Sequence, residues 1–412
     1  MNKESLTTKV SAKETLLTVL FFGIYFLSNT FLVISGTNTI AALGIIAILV
    51  MILQGSIIVN KRFIGIALIL CVNVVATTLF MKESTDYAIL LVVLILYSFV
   101  VISSVEFKLF ARIYTRIMCF TALFSILVYF CMLVFPDIIK SVPLVYNIHG
   151  YGVHNVGLAY ASFRGVPLRN MGFFWEPGAF QTFLVFAMLF EIFVFKMKRK
   201  WNIIVFILAI ITTWSTSGIM NLLVLASIMV LYLNQGKRNR YVNVFVVLVM
   251  SATVLLWIYS NLPTGMQYAV FGKIARYFEN EASSYTSASV RFDSITIPIM
   301  AFFSSPLLGV GLDGLKDTMS VRGHTMTTNT ILNWFAVYGG IYGTLMLISL
   351  VKLAKRLAGD NLFLIVLVML SIALSISTEQ YIRNMSVILI LFLSYSYSQV
   401  ESGNQKLKNR IE

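Results

Sequence analysis

The chain has 412 residues, of which 58% are hydrophobic and 12% charged, with a mean hydropathy of +0.87 and a formal net charge of +14. A soluble domain carries about 25% charged residues because its surface must stay wet, so this composition excludes a large soluble enzyme. The positive charge follows the links between apolar runs, as membrane topology requires, and nucleic acid is not expected as a partner.

A spanning helix needs roughly 20 apolar residues to cross a hydrocarbon core of about 30 Å. In chain order, twelve segments meet this pattern: about 14–34, 38–59, 63–81, 87–105, 114–135, 178–195, 201–217, 218–234, 242–260, 329–351, 361–378 and 384–400. The first, Leu16 to Ile34, is too long for a signal-peptide core of about 7–15 residues. Ser215-Thr216-Ser217-Gly218 divides the seventh from the eighth, and the last ends in the polar run Ser394 to Tyr397. Cys71, Cys119 and Cys131 all lie in apolar runs and read as small buried hydrophobes. The expected fold is all-α: one polytopic helix bundle over residues 1–412.

Placing the N-terminus in the cytoplasm puts most of the 31 Lys and Arg on the inner side. Lys3, Lys9 and Lys13, then Lys61 and Arg62, Lys108 with Arg112 and Arg116, Lys196 to Lys200, Lys237 to Arg240, Lys352 to Arg356 and the C-terminal tail all fall there. The short outer links hold only Lys82 and Arg383. This is the positive-inside pattern, and it orients the chain with both ends inside.

Two outer links are long, about 136–177 and 261–328, and long ordered loops usually carry function. The first contains Lys140, His149, His154, Arg164 and Arg169, then Met171 to Gly178. The second contains Lys273, Arg276, Arg291, Lys316, Arg322 and His324. All the histidines of the chain are in these two loops. Guanidinium groups suit phosphate because they stay charged and present paired donors. Tyr151, Phe173, Phe174 and Trp175 read either as sugar-stacking rings or as an interfacial aromatic belt. Glu176, directly before Pro177, fits the start of a helix, where a carboxylate complements the helix dipole. It also fits a general base for a sugar hydroxyl.

Other polar residues read as structural. Glu191 is expected to pair or snorkel near Lys196. Asn73, Asn221 and Asn333 are expected to bond between helices. Ser217-Gly218 and Gly339-Gly340 suit tight turns or close helix approach. There is no P-loop, HExxH or GxSxG pattern and no metal-ligand spacing, so neither cofactor nor metal is expected.

Four segments, in order, resemble the O-antigen polymerase/ligase superfamily, the Wzy-type membrane proteins. Arg169-Asn-Met-Gly172-Phe-Phe-Trp-Glu176-Pro-Gly178 looks like the family's Arg-x-x-Gly-x-Phe-x-Glu-Pro-Gly segment. Ser215-Thr-Ser-Gly218 is similar to its Gly-ended turn. Arg291 followed by Pro306-Leu-Leu-Gly309-Val-Gly311 resembles its large-loop pattern. Asn329-Thr-Ile-Leu332, running to Tyr338-Gly339, resembles its entry into the next span. Ligase members commonly carry His directly before that Asn, where this chain has Thr328, which favours polymerase over ligase.

The resemblance implies a membrane-embedded glycosyltransferase of the GT-C kind in the bacterial inner membrane. Its substrates would be undecaprenyl-pyrophosphate-linked oligosaccharides, polymerised into O-antigen or capsule among membrane lipid, with a chain-length regulator as a protein partner. It implies catalytic roles for Arg169, Glu176, Arg291 and His324, and substrate contacts from Arg164, Arg276, Arg322, Trp175 and Asn329. The competing expectations are a ligase that transfers finished glycan and, from another class, a lipid-linked glycan flippase. A flippase would be expected to show internal repeats, and none is evident.

Overall fold

The computed structural model describes residues 12–31, 37–53, 61–147, 151–163, 168–261, 287–321 and 327–396. The helices are α1 (Ala12–Asn29), α2 (Thr37–Leu53), α3 (Lys61–Met81), α4 (Thr85–Ser104), α5 (Phe107–Val134) and the short α6 (Pro136–Ser141). After a small sheet come α7 (Pro177–Phe193), α8 (Lys200–Thr212), α9 (Thr216–Leu233) and α10 (Arg240–Asn261). Then follow α11 (Ser287–Ser304), α12 (Gly311–Ser320), α13 (Thr330–Ala358), α14 (Leu362–Ile376) and α15 (Met385–Phe392), which ends in a 3-10 turn, Leu393–Tyr395.

Each apolar segment expected from the sequence carries a helix. Among the described residues, five stretches are long and apolar enough to cross a membrane: Phe63–Met81, Thr85–Ser104, Phe107–Val134, Thr216–Leu233 and Thr330–Ala358. Others are shorter than expected, notably α8 and α15. Large apolar side chains point outward from α2, α3, α5 and α10, including Leu53, Phe80, Leu127 and Phe245. In water such a surface would aggregate, whereas lipid solvates it. The chain is a multi-pass helical membrane bundle.

Its centre is α7. Every residue from Gly178 to Ile192 is buried, as expected for a helix apolar all round. Around it pack α5, α8, α9, α13 and α14. Asparagines start three successive helices. The Oδ1 atoms of Asn329, Asn361 and Asn384 accept backbone amides of the first turn of α13, α14 and α15, replacing bonds that a helix start lacks.

Polar contacts sort the helix ends into two groups. At one end, Arg116 of α5 meets Glu14 in the first turn of α1 at 2.6 Å. Arg199 and Asn202 hold Glu191, the end of α7 to the start of α8, and Arg356 Nη1 donates to the carbonyls of Leu393, Ser394 and Ser396. At the other, far end, the Phe31 amide donates to the Phe173 carbonyl and Asn384 Nδ2 to Asn29 Oδ1. The Asn170 amide donates there to the carbonyl of Thr212. At the first end, where Arg356 also lies over the Phe107 ring, α1, α5 and α8 begin and α7, α13 and α15 finish.

Both segments expected as long loops carry structure. In the first, β1 (Leu144–Tyr146), β2 (Gly152–Asn155) and β3 (Tyr160–Ala161) form an antiparallel sheet with Val145 opposite Val153 and His154 opposite Ala161. In the second, α11 packs along α13, and α12 returns beside both. Asp293 and Pro298 interrupt the apolar pattern of α11, which is why periodicity alone missed it.

The four polar residues expected to be structural fare differently. Glu191 pairs, as expected: it is fully buried and its partner is Arg199, because Lys196 and Met197 adopt positive φ and turn the chain so that Arg199 folds back. Asn221 does bond between helices, to Ser371 and Ser375 of α14. Asn333 instead bonds locally to Thr327, and the buried Oδ1 of Asn73 has no hydrogen-bond partner among the described residues.

Candidate functional site at the far end of the bundle

The segment Arg169 to Glu176 is held as a strap across the far end, turning at Gly172 and Phe173 before α7 begins. Arg169 is half-buried, and its Nε donates to the Thr213 carbonyl at 3.0 Å. Asn170 is buried and donates to Ser125 and Thr212, while its Oδ1 accepts the Gly172 amide. Gly172 takes a positive φ of 56° with the Phe180 ring packed where a side chain would stand. Its carbonyl accepts the Tyr160 amide of β3 at 2.7 Å. The Tyr160 phenol meets Thr30 Oγ1 at 2.5 Å, and burial pushes it above the ordinary range even though that bond acts the other way.

Phe173 and Phe174 are 1% and 0% exposed and stack on one another at 4.3 Å. They are anchors of the strap in the core and not free sugar platforms, because the turn closed by the Phe174 amide on the Met171 carbonyl directs both rings inward against Tyr25 and Phe183. Trp175 is half-buried, and Tyr151 is exposed. Glu176 is the N-cap residue of α7, is exposed, and makes no side-chain cap hydrogen bond.

The turn between α14 and α15 meets this strap. A Cβ on Gly178 would stand 3.1 Å from Glu379 Oε1, so the bare glycine admits that carboxylate to the first turn of α7. Trp175 and Tyr381 approach with ring centroids 5.9 Å apart. Burial drives the Tyr381 phenol well above its ordinary range, and the charges of Glu379 and Glu176 push the same way. Thr330, the first residue of α13, binds the turn from the other side: its hydroxyl donates to the Glu379 carbonyl and accepts the Tyr381 amide, both at 2.8 Å. Asn329 spends its side-chain oxygen on capping α13.

Deeper on α13, the helix breaks at Gly339, with φ 78° and ψ −176°. Into the break fits the turn between α11 and α12. The Gly340 amide donates to the Pro306 carbonyl at 2.7 Å, and the Val310 amide to the Ala336 carbonyl at 2.8 Å. Thr77 Oγ1 donates to the Leu308 carbonyl. Gly311 leaves room for Glu83, whose Oε1 accepts the Asp313 amide at 2.9 Å at the start of α12. Burial raises the carboxyl of Glu83 above its usual range, against the lowering effect of the Asp313 and Leu312 amides.

These contacts link the segments singled out above: Arg169 bonds Thr213, two residues before Ser215, Glu379 bridges Gly178 and Thr330, and Val310 bonds Ala336. Arg291 stands on α11, one turn before Ser294, whose Oγ accepts the Thr328 amide; its side chain lies outside the described residues. So do Arg164, Arg276, Arg322, His149 and His324. His154 places Nδ1 2.6 Å from the Val142 carbonyl, as part of the sheet.

Sequence reasoning missed Glu83, Glu379, Tyr381 and Arg383. One signal was available: each charge falls in a short link between apolar helices of a chain with only 12% charged residues. No protein-family model matches the chain, and no curated protein matches it.

Proposed function

We propose that the chain is a surface-polysaccharide polymerase that joins undecaprenyl-pyrophosphate-linked repeat units on the outer face of a bacterial inner membrane. In this reading all twelve apolar segments cross, both termini are cytoplasmic, and the far end of the bundle faces outward, as in the GT-C glycosyltransferases. One observation carries it: three of the segments that resemble the Wzy-type pattern in sequence are joined, directly or through the Glu379 turn, and the first of them also bonds Thr213, two residues before the remaining one.

The chemistry is a displacement at the anomeric carbon of the growing chain. The acceptor hydroxyl oxygen bonds to that carbon, the carbon–oxygen bond to the diphosphate breaks, and the electron pair leaves with the lipid diphosphate. The hydroxyl proton passes to a general base, for which the exposed carboxylate of Glu176 is the first candidate and the imidazole of His324 the second. Charge developing on the leaving group calls for fixed cations, and Arg169 and Arg291 are assigned that role. Thr213 orients Arg169 through Nε. Trp175 offers a half-buried ring beside the strap for the sugar.

The test is purified protein in a bilayer supplied with lipid-linked repeat units, read as a ladder on a glycan gel. Wild type is expected to yield polymer, and Arg169→Ala or Arg291→Ala to leave single units. Long glycan transferred to a different acceptor would mean a ligase, and no glycan product from wild type would refute the assignment.

A further inference from the structure

Two cations from segments far apart in sequence share the ring of Tyr87, which stands on the first turn of α4. Arg383, in the turn between α14 and α15, places its guanidinium carbon 4.4 Å from the ring centroid. Lys316, on α12, places Nζ 4.6 Å from the same centroid and 2.8 Å from the phenol oxygen. Each cation is drawn to the ring by its quadrupole, and the two distances laid end to end bound their separation. They repel one another, and among the described residues only Lys316 has a carboxylate against it.

No carboxylate among the described residues forms an ion pair with Arg383. Asp313 is engaged by Lys316 at 2.9 Å. The Glu83 Oε1 atom is engaged by the Asp313 amide, and its buried Oε2 atom has no hydrogen-bond partner among the described residues. Among the described residues Arg383 has its ring contact but no hydrogen bond and no ion pair, although it is half-buried. A guanidinium carries five donors in a planar fork that matches phosphate oxygens. Removing it partly from water without giving those donors a partner is costly, and a bound phosphate group would supply one. The same turn brings Glu379 to Gly178 and Thr330, so Arg383 belongs to the far-end site.

We propose that Arg383, with Lys316 beside it over Tyr87, binds a phosphate group of a membrane-borne lipid. On the polymerase reading that group is the diphosphate of the lipid-linked substrate, and Arg383 then joins Arg169 and Arg291 in holding it. The alternative source is the phosphate of a bilayer phospholipid.

The experiment uses full-length protein in phosphatidylcholine nanodiscs, titrated with farnesyl diphosphate and, separately, reconstituted with increasing phosphatidylglycerol. Arg383→Gln is expected to weaken farnesyl diphosphate binding at least tenfold, and Arg383→Lys to weaken it less. A matching loss for phosphatidylglycerol supports the site but assigns it to bilayer phospholipid; a loss confined to farnesyl diphosphate assigns it to the substrate. Binding by Arg383→Gln within twofold of wild type, or no measurable binding by wild type to either lipid, overturns the proposal. Because the side chain has no described partner beyond the Tyr87 ring, the glutamine variant should fold, and a monodisperse elution with unchanged melting temperature checks that. Wild-type protein that binds the diphosphate yet makes no polymer sinks the polymerase reading and leaves this site standing.

Discussion

Gly309 and Gly339 lie face to face, thirty positions apart, each with positive φ and each pressed on the backbone of the other's segment. A Cβ on Gly309 would overlap the Val337 carbonyl, and one on Gly339 the Leu307 carbonyl. Both obstacles are main-chain atoms fixed by the hydrogen bonds Val310 to Ala336 and Gly340 to Pro306, so neither can yield as a side chain would. Gly339→Ala and Gly309→Ala are each expected to cost on the order of 3 kcal/mol, from left-handed backbone strain plus overlap. Thermal unfolding in detergent measures it. A melting temperature unchanged in both variants would show that the turn does not hold the break in α13.

The Glu191 carboxylate is fully buried and answered by Arg199 and Asn202. Removing one partner of a buried pair strands the other charge, at about 3–5 kcal/mol. Arg199→Ala should therefore lower stability or yield sharply, while Lys196→Ala, at an exposed position without a described acidic partner, should change little. Equal effects from the two substitutions would contradict the pairing.

Asn221 donates to Ser375 and accepts from Ser371 across the interface of α9 and α14. Hydrogen bonds between helices within membranes contribute about 0.6 kcal/mol on average and up to about 1.7. A double-mutant cycle of Asn221→Ala with Ser371→Ala should return a coupling in that range. A coupling of zero would reduce the contact to packing.

Glu83 supplies a pH dependence. Its carboxyl is raised in the folded chain, chiefly by burial, so the folded state binds this proton more tightly than the unfolded chain does. The stabilising effect is complete below the ordinary carboxylate pKa and is lost as pH rises through the raised value. Melting temperature should fall over that window in wild type, and Glu83→Gln should remove this component of the fall. Identical pH profiles for the two proteins would show that the folded and unfolded carboxyls titrate alike.

The sequence by itself determined the solvent. An apolar chain with few charges, basic links on alternate sides and asparagines before helices can satisfy its backbone only as helices in lipid, and those signals are local. It also marked Arg169 to Gly178, Ser215 to Gly218, Pro306 to Gly311 and Asn329 to Gly339 as unusual, through glycine, proline and charge at fixed spacing. What those segments touch was not legible. That Phe173 and Phe174 face the core, that α11 and α12 are helices docked into the break of α13, and that Glu379 reaches Gly178 all depend on contacts between residues up to about two hundred positions apart. Hydropathy encodes how deeply a segment is buried but not its neighbours. Only the packed bundle decides which charges meet, and so it alone brings Lys316 and Arg383 to one ring.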